Sequence, residues 1–302
     1  MQSNEVNGNI VVPSAARSVG KSYSKNHERL HKLLKNKLAC LGLLIITVFI
    51  GIALLAPLIA PYSPYEQHLT QQNLGFNQDG HLLGTDNYGR DLLSRVLYGT
   101  RISLGVGFSS VAIGASIGTL FGLFAGFYKR ADTLIMRVMD ILFSFPGILL
   151  AMLIIAVTGT GLRNVIIAIS IWQIPTFARI VRGSVLSTKH KEYITALRSE
   201  GASDLTIIFK HILPNSLSPI IVNGTMRLGS AILSTASLSF IGLGAQPPSP
   251  EWGAIISEGQ AILYNAPLVT IVPGVAIMLV VFAFNVFGDG LRDALDPNVK
   301  AE

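Results

Sequence analysis

Apolar residues in this chain come in long runs rather than in the alternating patterns of a soluble fold. The clearest is LACLGLLIITVFIGIALLAPLIA, Leu38 to Ala60. A helix needs about 20 such residues to cross the hydrocarbon core of a bilayer. The run is too long for the core of a secretory signal, about 7–15 residues, so it predicts a retained anchor. Further runs lie at about Arg101–Tyr128, Leu134–Val157, Asn164–Val181, Leu217–Leu243 and Leu268–Phe287. Half of the 302 residues are hydrophobic and only 13% are charged, which a soluble chain of this length does not match. The expected fold class is an all-α integral membrane protein with six transmembrane helices.

Six spans put both termini on one side, and the Lys and Arg distribution gives the side. One face carries the basic residues from Arg17 to Lys37, then Lys129, Arg130, Arg137, Arg179, Arg182, Lys189, Lys191, Arg198, Lys210, Arg292 and Lys300. The other carries Arg90, Arg95, Arg101 and Arg163. The rich face is predicted to be cytoplasmic. Residues 1–37 then form a cytoplasmic tail, disordered to about Lys25, followed by an interfacial helix whose Leu30, Leu33, Leu34 and Leu38 share one face. Residues 38–60 form the first transmembrane helix and 61–98 an extracytoplasmic segment. Residues 99–290 form a five-helix core, and 291–302 a cytoplasmic tail. The net charge of +6 is accounted for by topology and does not call for nucleic acid.

Within the core, Gly114, Gly118, Gly122 and Gly126 repeat every fourth residue and allow close approach of another helix. Static close packing is the plainer reading; a moving interface is the other. Pro146 sits inside the third run. Arg137 and Asp140, three apart near its entry, are expected to form an interfacial ion pair. Arg227 lies ten residues into the fifth run, and two readings of it stand open. It faces the pathway and meets an acidic substrate group, or it pairs with a neighbouring subunit or inner cavity.

The longest polar interruption in the core is KHKEYITALRSEGASDLTIIFKHILPN, residues 189–215. It reads as two short amphipathic helices, one with Tyr193, Ala196 and Leu197 on a face, the other with Leu205, Ile208, Phe209 and Ile212. Gly201 suits the left-handed residue ending the first helix, Ser203 caps the second, and Pro214 is expected to stop it. Spacing alone favours a loop lying on the membrane or on its own bundle over a docking element.

Candidate chemistry is sparse. Cys40 is the one cysteine, excluding an internal disulfide or a multi-cysteine metal site. The histidines show no metal-binding spacing, and no nucleophile motif or paired carboxylates appear. Gly20-Lys21-Ser22 has the ending of a phosphate loop, but Ala15 occupies the position of its first glycine. No cofactor, no metal and no enzymatic activity are expected; a pore or transport subunit fits better.

The hairpin resembles the cytoplasmic EAA loop of ABC-importer permeases, a Glu-Ala-Ala followed after three residues by Gly. Here Thr195-Ala196-Leu197 and Gly201 hold those positions, so Ala196 and Gly201 match while Thr195 and Leu197 depart. HLLGTDNYGRDLLSRVLYGTRISL (residues 81–104) and GLGAQPPSPEWG (residues 242–253) resemble the corresponding stretches of the C-type permease subunit of dipeptide and oligopeptide importers. The resemblance covers about Lys35 to Pro297. It implies a type I ABC-importer permease fold in a bacterial cytoplasmic (inner) membrane. Its implied partners are a second homologous permease subunit, two ATP-binding-cassette ATPase subunits, an extracytoplasmic substrate-binding protein and membrane lipid. Tyr193, Ala196, Leu197, Gly201, Leu205 and Phe209 are the expected ATPase-docking residues. Nickel or opine importers share the three stretches and stay open as alternatives. A stand-alone secondary transporter or channel is disfavoured by the hairpin and by the lack of an evident repeat.

Overall fold

The computed structural model describes residues 33–295, all in helices and connecting loops apart from two isolated bridges. The expected disordered tail, the Gly20-Lys21-Ser22 turn, Leu30 of the interfacial helix and the last residues of the C-terminal tail lie outside that range. Five helices are long and apolar enough to cross a membrane. They are α1 (Lys37–Ile59), α2 (Leu92–Phe127), α5 (Leu162–Thr188), α7 (Asp204–Phe240) and α9 (Leu268–Leu295). Between α2 and α5, α3 (Lys129–Phe143) and α4 (Gly147–Thr158) form a pair bent by 91°, apolar and long enough together to be a broken sixth span or a re-entrant loop. Two short helices complete the set, α6 (Glu192–Ser199) and α8 (Trp252–Gly259).

The bend between α3 and α4 falls at Pro146, the proline inside the third apolar run. Proline has no N–H to donate and its ring displaces the residue before it from helical geometry. The break also changes the ion pairing. Asp140 is held by Arg179 of α5 at 2.6 Å, and not by Arg137 three residues away. Arg179 in addition lies over the Phe143 ring at 4.0 Å. Arg182, one turn along α5, grips Asp132 of α3 through two bonds of 2.5 and 2.7 Å.

Pro214 does not end a helix. The second hairpin helix runs unbroken into the fifth span as α7, 37 residues in all. Residues Ile207–Ile212 form a π-turn in which Leu213 N–H reaches Ile208 O, five residues back. Wide turns of this kind appear as single insertions within longer helices. The Asn215 amide donates to His211 O at 2.6 Å and the Ser216 hydroxyl to Ile212 O at 3.1 Å, so carbonyls around the proline keep partners.

The most extensive helix pair is α2 with α5. A Cβ added at Gly114, Gly118, Gly122 or Gly126 would sit 2.9, 2.6, 2.6 or 3.1 Å from the carbonyl oxygen of Ser170, Ile174, Ala178 or Arg182. Each glycine thus meets the next turn of α5, and no room remains for a side chain. On the opposite flank α1 lies on α9, where Gly42 abuts the Ala283 carbonyl and Gly290 abuts Ala39. Ile46 and Ala56 of α1 are also buried, while Leu38, Leu44, Val48, Leu54 and Leu58 are exposed, as the lipid-facing side of an apolar helix is.

Candidate functional site

Two ends of the bundle carry structure beyond the spans. At one end sits the hairpin. Helix α6 finishes in a left-handed turn: Gly201 has φ +82°, Ala202 N–H donates to Leu197 O at 3.0 Å, and Gly201 N–H to Arg198 O at 3.0 Å. This six-to-one, five-to-two pair of bonds satisfies the carbonyls at the helix end and needs glycine at its left-handed position. The Ser203 hydroxyl then accepts from Thr206 N–H and opens α7.

The hairpin is seated by isoleucines. Ile194, Ile207, Ile208 and Ile212 are fully buried against Leu123 and Phe127 of α2 and Val181 and Val185 of α5. Lys189 Nζ donates to Gly126 O at 2.8 Å, closing the last turn of α2. Ser216 bonds Ser184 at 2.9 Å, and the Asn215 amide reaches the Tyr193 hydroxyl at 3.3 Å.

What remains outside that seat is unusual for a polar segment. Tyr193, Leu205 and Phe209 are 41%, 57% and 40% exposed, and Ala196 and Gly201 are exposed too. Leu197 is half-buried against the isoleucine cluster. The π-turn divides the stripe read from spacing: Ile208 and Ile212 turn inward, while Leu205 and Phe209 turn outward. Ile194 and Ile207, which the spacing did not single out, provide the other half of the seat.

The opposite end holds a cluster that sequence reasoning missed. Asp86, Arg90 and Arg95 are each buried to within a few per cent and converge with Glu258 of α8. Arg90 Nε donates to Asp86 at 2.6 Å and Nη2 to Glu258 at 2.5 Å. Arg95 Nη1 donates to the same Asp86 oxygen and to Glu258 at 2.9 Å. Beside it His81 Nδ1 meets Asp91 at 2.9 Å, and the other Asp91 oxygen caps α2 by accepting from Ser94 N–H at 2.8 Å. Glu251 caps α8 and accepts from Ser103 Oγ at 3.0 Å. Trp252, fully buried, donates to Val96 O at 3.1 Å. The stretches 81–104 and 242–253, which looked like separate signatures, therefore pack on each other. The signal was present as four charges in ten residues, Asp86, Arg90, Asp91 and Arg95.

Arg227 is half-buried on α7 and makes no ion pair among the described residues. The structure does not bring it to the hairpin or to the Asp86–Arg90–Arg95–Glu258 cluster.

An all-helical bundle with a short helical hairpin between two spans fits a membrane permease. The comparisons agree. The family model for the binding-protein-dependent transport system inner membrane component matches residues 118–301, and that for the N-terminal TM domain of oligopeptide transport permease C matches residues 26–78. The chain belongs to the ABC-importer permease family and is a transport subunit rather than an enzyme. It is 49% identical to the glutathione transport system permease protein GsiD of Pectobacterium atrosepticum, over 89% of this chain and 90% of the relative. It is 49% identical to the dipeptide transport system permease protein DppC of Alkalihalophilus pseudofirmus, over 91% and 90%. The GsiD protein of Escherichia coli O157:H7 is 51% identical, over 91% of each. Among solved structures, the inward-facing MetNI methionine ABC transporter aligns with TM-score 0.52 at 24% identity, covering 68% of this chain and 96% of that one. A further amino acid ABC transporter gives 0.52 at 16% identity, covering 67% and 95%. At these identities the structures speak for the fold alone. The chain is a multi-pass membrane protein, and its family works with ATPase and substrate-binding partners.

Proposed function

We propose that this permease forms half of the pathway for di- or oligopeptides and is driven through its hairpin. The observation that carries the reading is the exposed apolar set Tyr193, Ala196, Leu205 and Phe209, presented by a segment whose opposite side is anchored by buried isoleucines. Exposed apolar groups on an anchored element favour a protein partner. The hairpin sits in a groove of an ATP-binding-cassette ATPase subunit, on the cytoplasmic side with both termini. A second homologous permease completes the pathway, and an extracytoplasmic binding protein delivers substrate. Because α7 runs without interruption from the hairpin into a span, displacement of the hairpin reaches the membrane as rigid-body motion of one helix. Gly114, Gly118, Gly122 and Gly126 hold the α2–α5 frame against which α7 moves. The peptide reading rests on the glutathione and dipeptide permeases among the relatives.

Co-purification from the native membrane tests the assembly, followed by reconstitution and uptake of dipeptides and glutathione. A second permease, ATPase subunits and ATP-dependent uptake of a peptide are expected; uptake without ATP, or of nickel only, contradicts the reading. Arg227, a cation of α7 with no ion pair among the described residues, is proposed to face the pathway and meet a substrate carboxylate. Arg227→Ala then impairs carboxylate-ended peptides more than amidated ones, and equal losses remove Arg227 from the pathway.

A further inference from the structure

A cavity of about 440 Å³ opens beside the hairpin where α2 ends, lined by Phe127, Tyr128, Lys129, Arg130, Arg198 and Asp204. Three cations face one carboxylate. None of the three forms an ion pair among the described residues. The Arg198 guanidinium is positioned over the Phe127 ring at 5.0 Å. Nearby charges are otherwise engaged: Lys189 on Gly126 O and Arg182 on Asp132.

One lining residue, Arg130, also heads an apolar stripe on α3. Arg130 shares one stripe of α3 with Leu134, Val138 and Ile141, spaced four, four and three residues apart, and all three apolar members are exposed. A cation at the head of an exposed apolar stripe, at the end of a spanning helix, matches the two parts of a lipid. An acidic side chain from a protein partner would use the cations and leave the stripe unexplained. Basic pockets at the ends of membrane helices are suited to anionic headgroups.

We propose that this cavity holds the phosphodiester headgroup of an anionic phospholipid, with its acyl chains along Leu134, Val138 and Ile141. Lys129 and Arg130 belong to the membrane helix and Arg198 to the hairpin helix α6. A bound headgroup therefore bridges hairpin and bundle and restrains the hairpin against α2.

The test is native mass spectrometry of the full chain in detergent, offered equal amounts of phosphatidylglycerol and phosphatidylcholine. Each cation beside an anionic lipid is worth about a fivefold preference. Arg198→Gln is expected to lower the phosphatidylglycerol preference about fivefold and Arg130→Gln/Arg198→Gln about thirtyfold. Arg292→Gln, at a different pocket, leaves it unchanged. Arg198 is exposed, so the single variant carries the test should the double variant not fold. Undiminished phosphatidylglycerol retention in the variants overturns the proposal. So does displacement of the lipid by inorganic phosphate, which marks a free-anion site. Lost ATPase co-purification with unchanged lipid retention overturns it too, and assigns the cavity to an acidic partner side chain.

Discussion

The two ends of the bundle solve the same problem in opposite ways. Asp86, Arg90, Arg95 and Glu258 bury their charges inside the chain and supply one another's partners. The hairpin buries isoleucines inward and leaves tyrosine, leucine and phenylalanine outside. The first end pairs its charges within the chain, although Arg95 Nε and Nη2 and Glu258 Oε1 are buried without a hydrogen-bond partner. The second is finished on one side only, and its ion pairs are more exposed, as at Arg179–Asp140. An end whose charges pair internally and an end with an exposed apolar surface suit the proposed transmission from an ATPase partner.

The largest expected effect separates the ends by stability. Asp86→Ala leaves Arg90 and Arg95 with the Glu258 carboxylate alone to share between them. Breaking a buried pair by removing one partner costs about 3–5 kcal/mol. The thermal unfolding midpoint in detergent is expected to drop steeply, with protease cleavage appearing in residues 61–98. An unchanged midpoint would show that the cluster is hydrated and not structural. An intermediate effect is expected at the frame between the ends. Gly118→Ala puts a methyl 2.6 Å from Ile174 O and 2.7 Å from Phe177 Cβ, and neither can swing away. Overpacking of this kind costs about 1–3 kcal/mol. A midpoint equal to the parent's would mean that α2 and α5 separate freely at that turn.

The contrast between the ends also decides how much could be read without coordinates. Gly201 and Ser203 were legible because a helix end is a local event, settled by residues within four positions. The six apolar runs were legible because hydrocarbon tolerates few charges. The helix starts were not. Helix α2 begins at Leu92 rather than near Arg101, because Asp91 and Arg95 look like loop residues until Glu258, more than 160 positions away, receives the arginines. Spacing pairs Asp140 with its sequence neighbour Arg137, and a guanidinium from α5 holds it instead. Pro214 has the local character of a helix stop, whereas a π-turn and two side-chain bonds carry α7 past it. Of the hairpin set, the outward positions of Leu205 and Phe209 follow from a wide turn that no spacing rule anticipates.

The smallest effect on stability carries the most weight for function. Leu205 and Phe209 are exposed, so replacing them leaves the unfolding midpoint within about 0.5 kcal/mol of the parent. Co-purification of Leu205→Asp/Phe209→Asp with the ATPase subunits therefore isolates docking from folding. The account predicts a normal midpoint, an intact permease pair and ATPase lost from the complex. ATPase retained at parental stoichiometry would contradict the assignment of this hairpin as the docking surface.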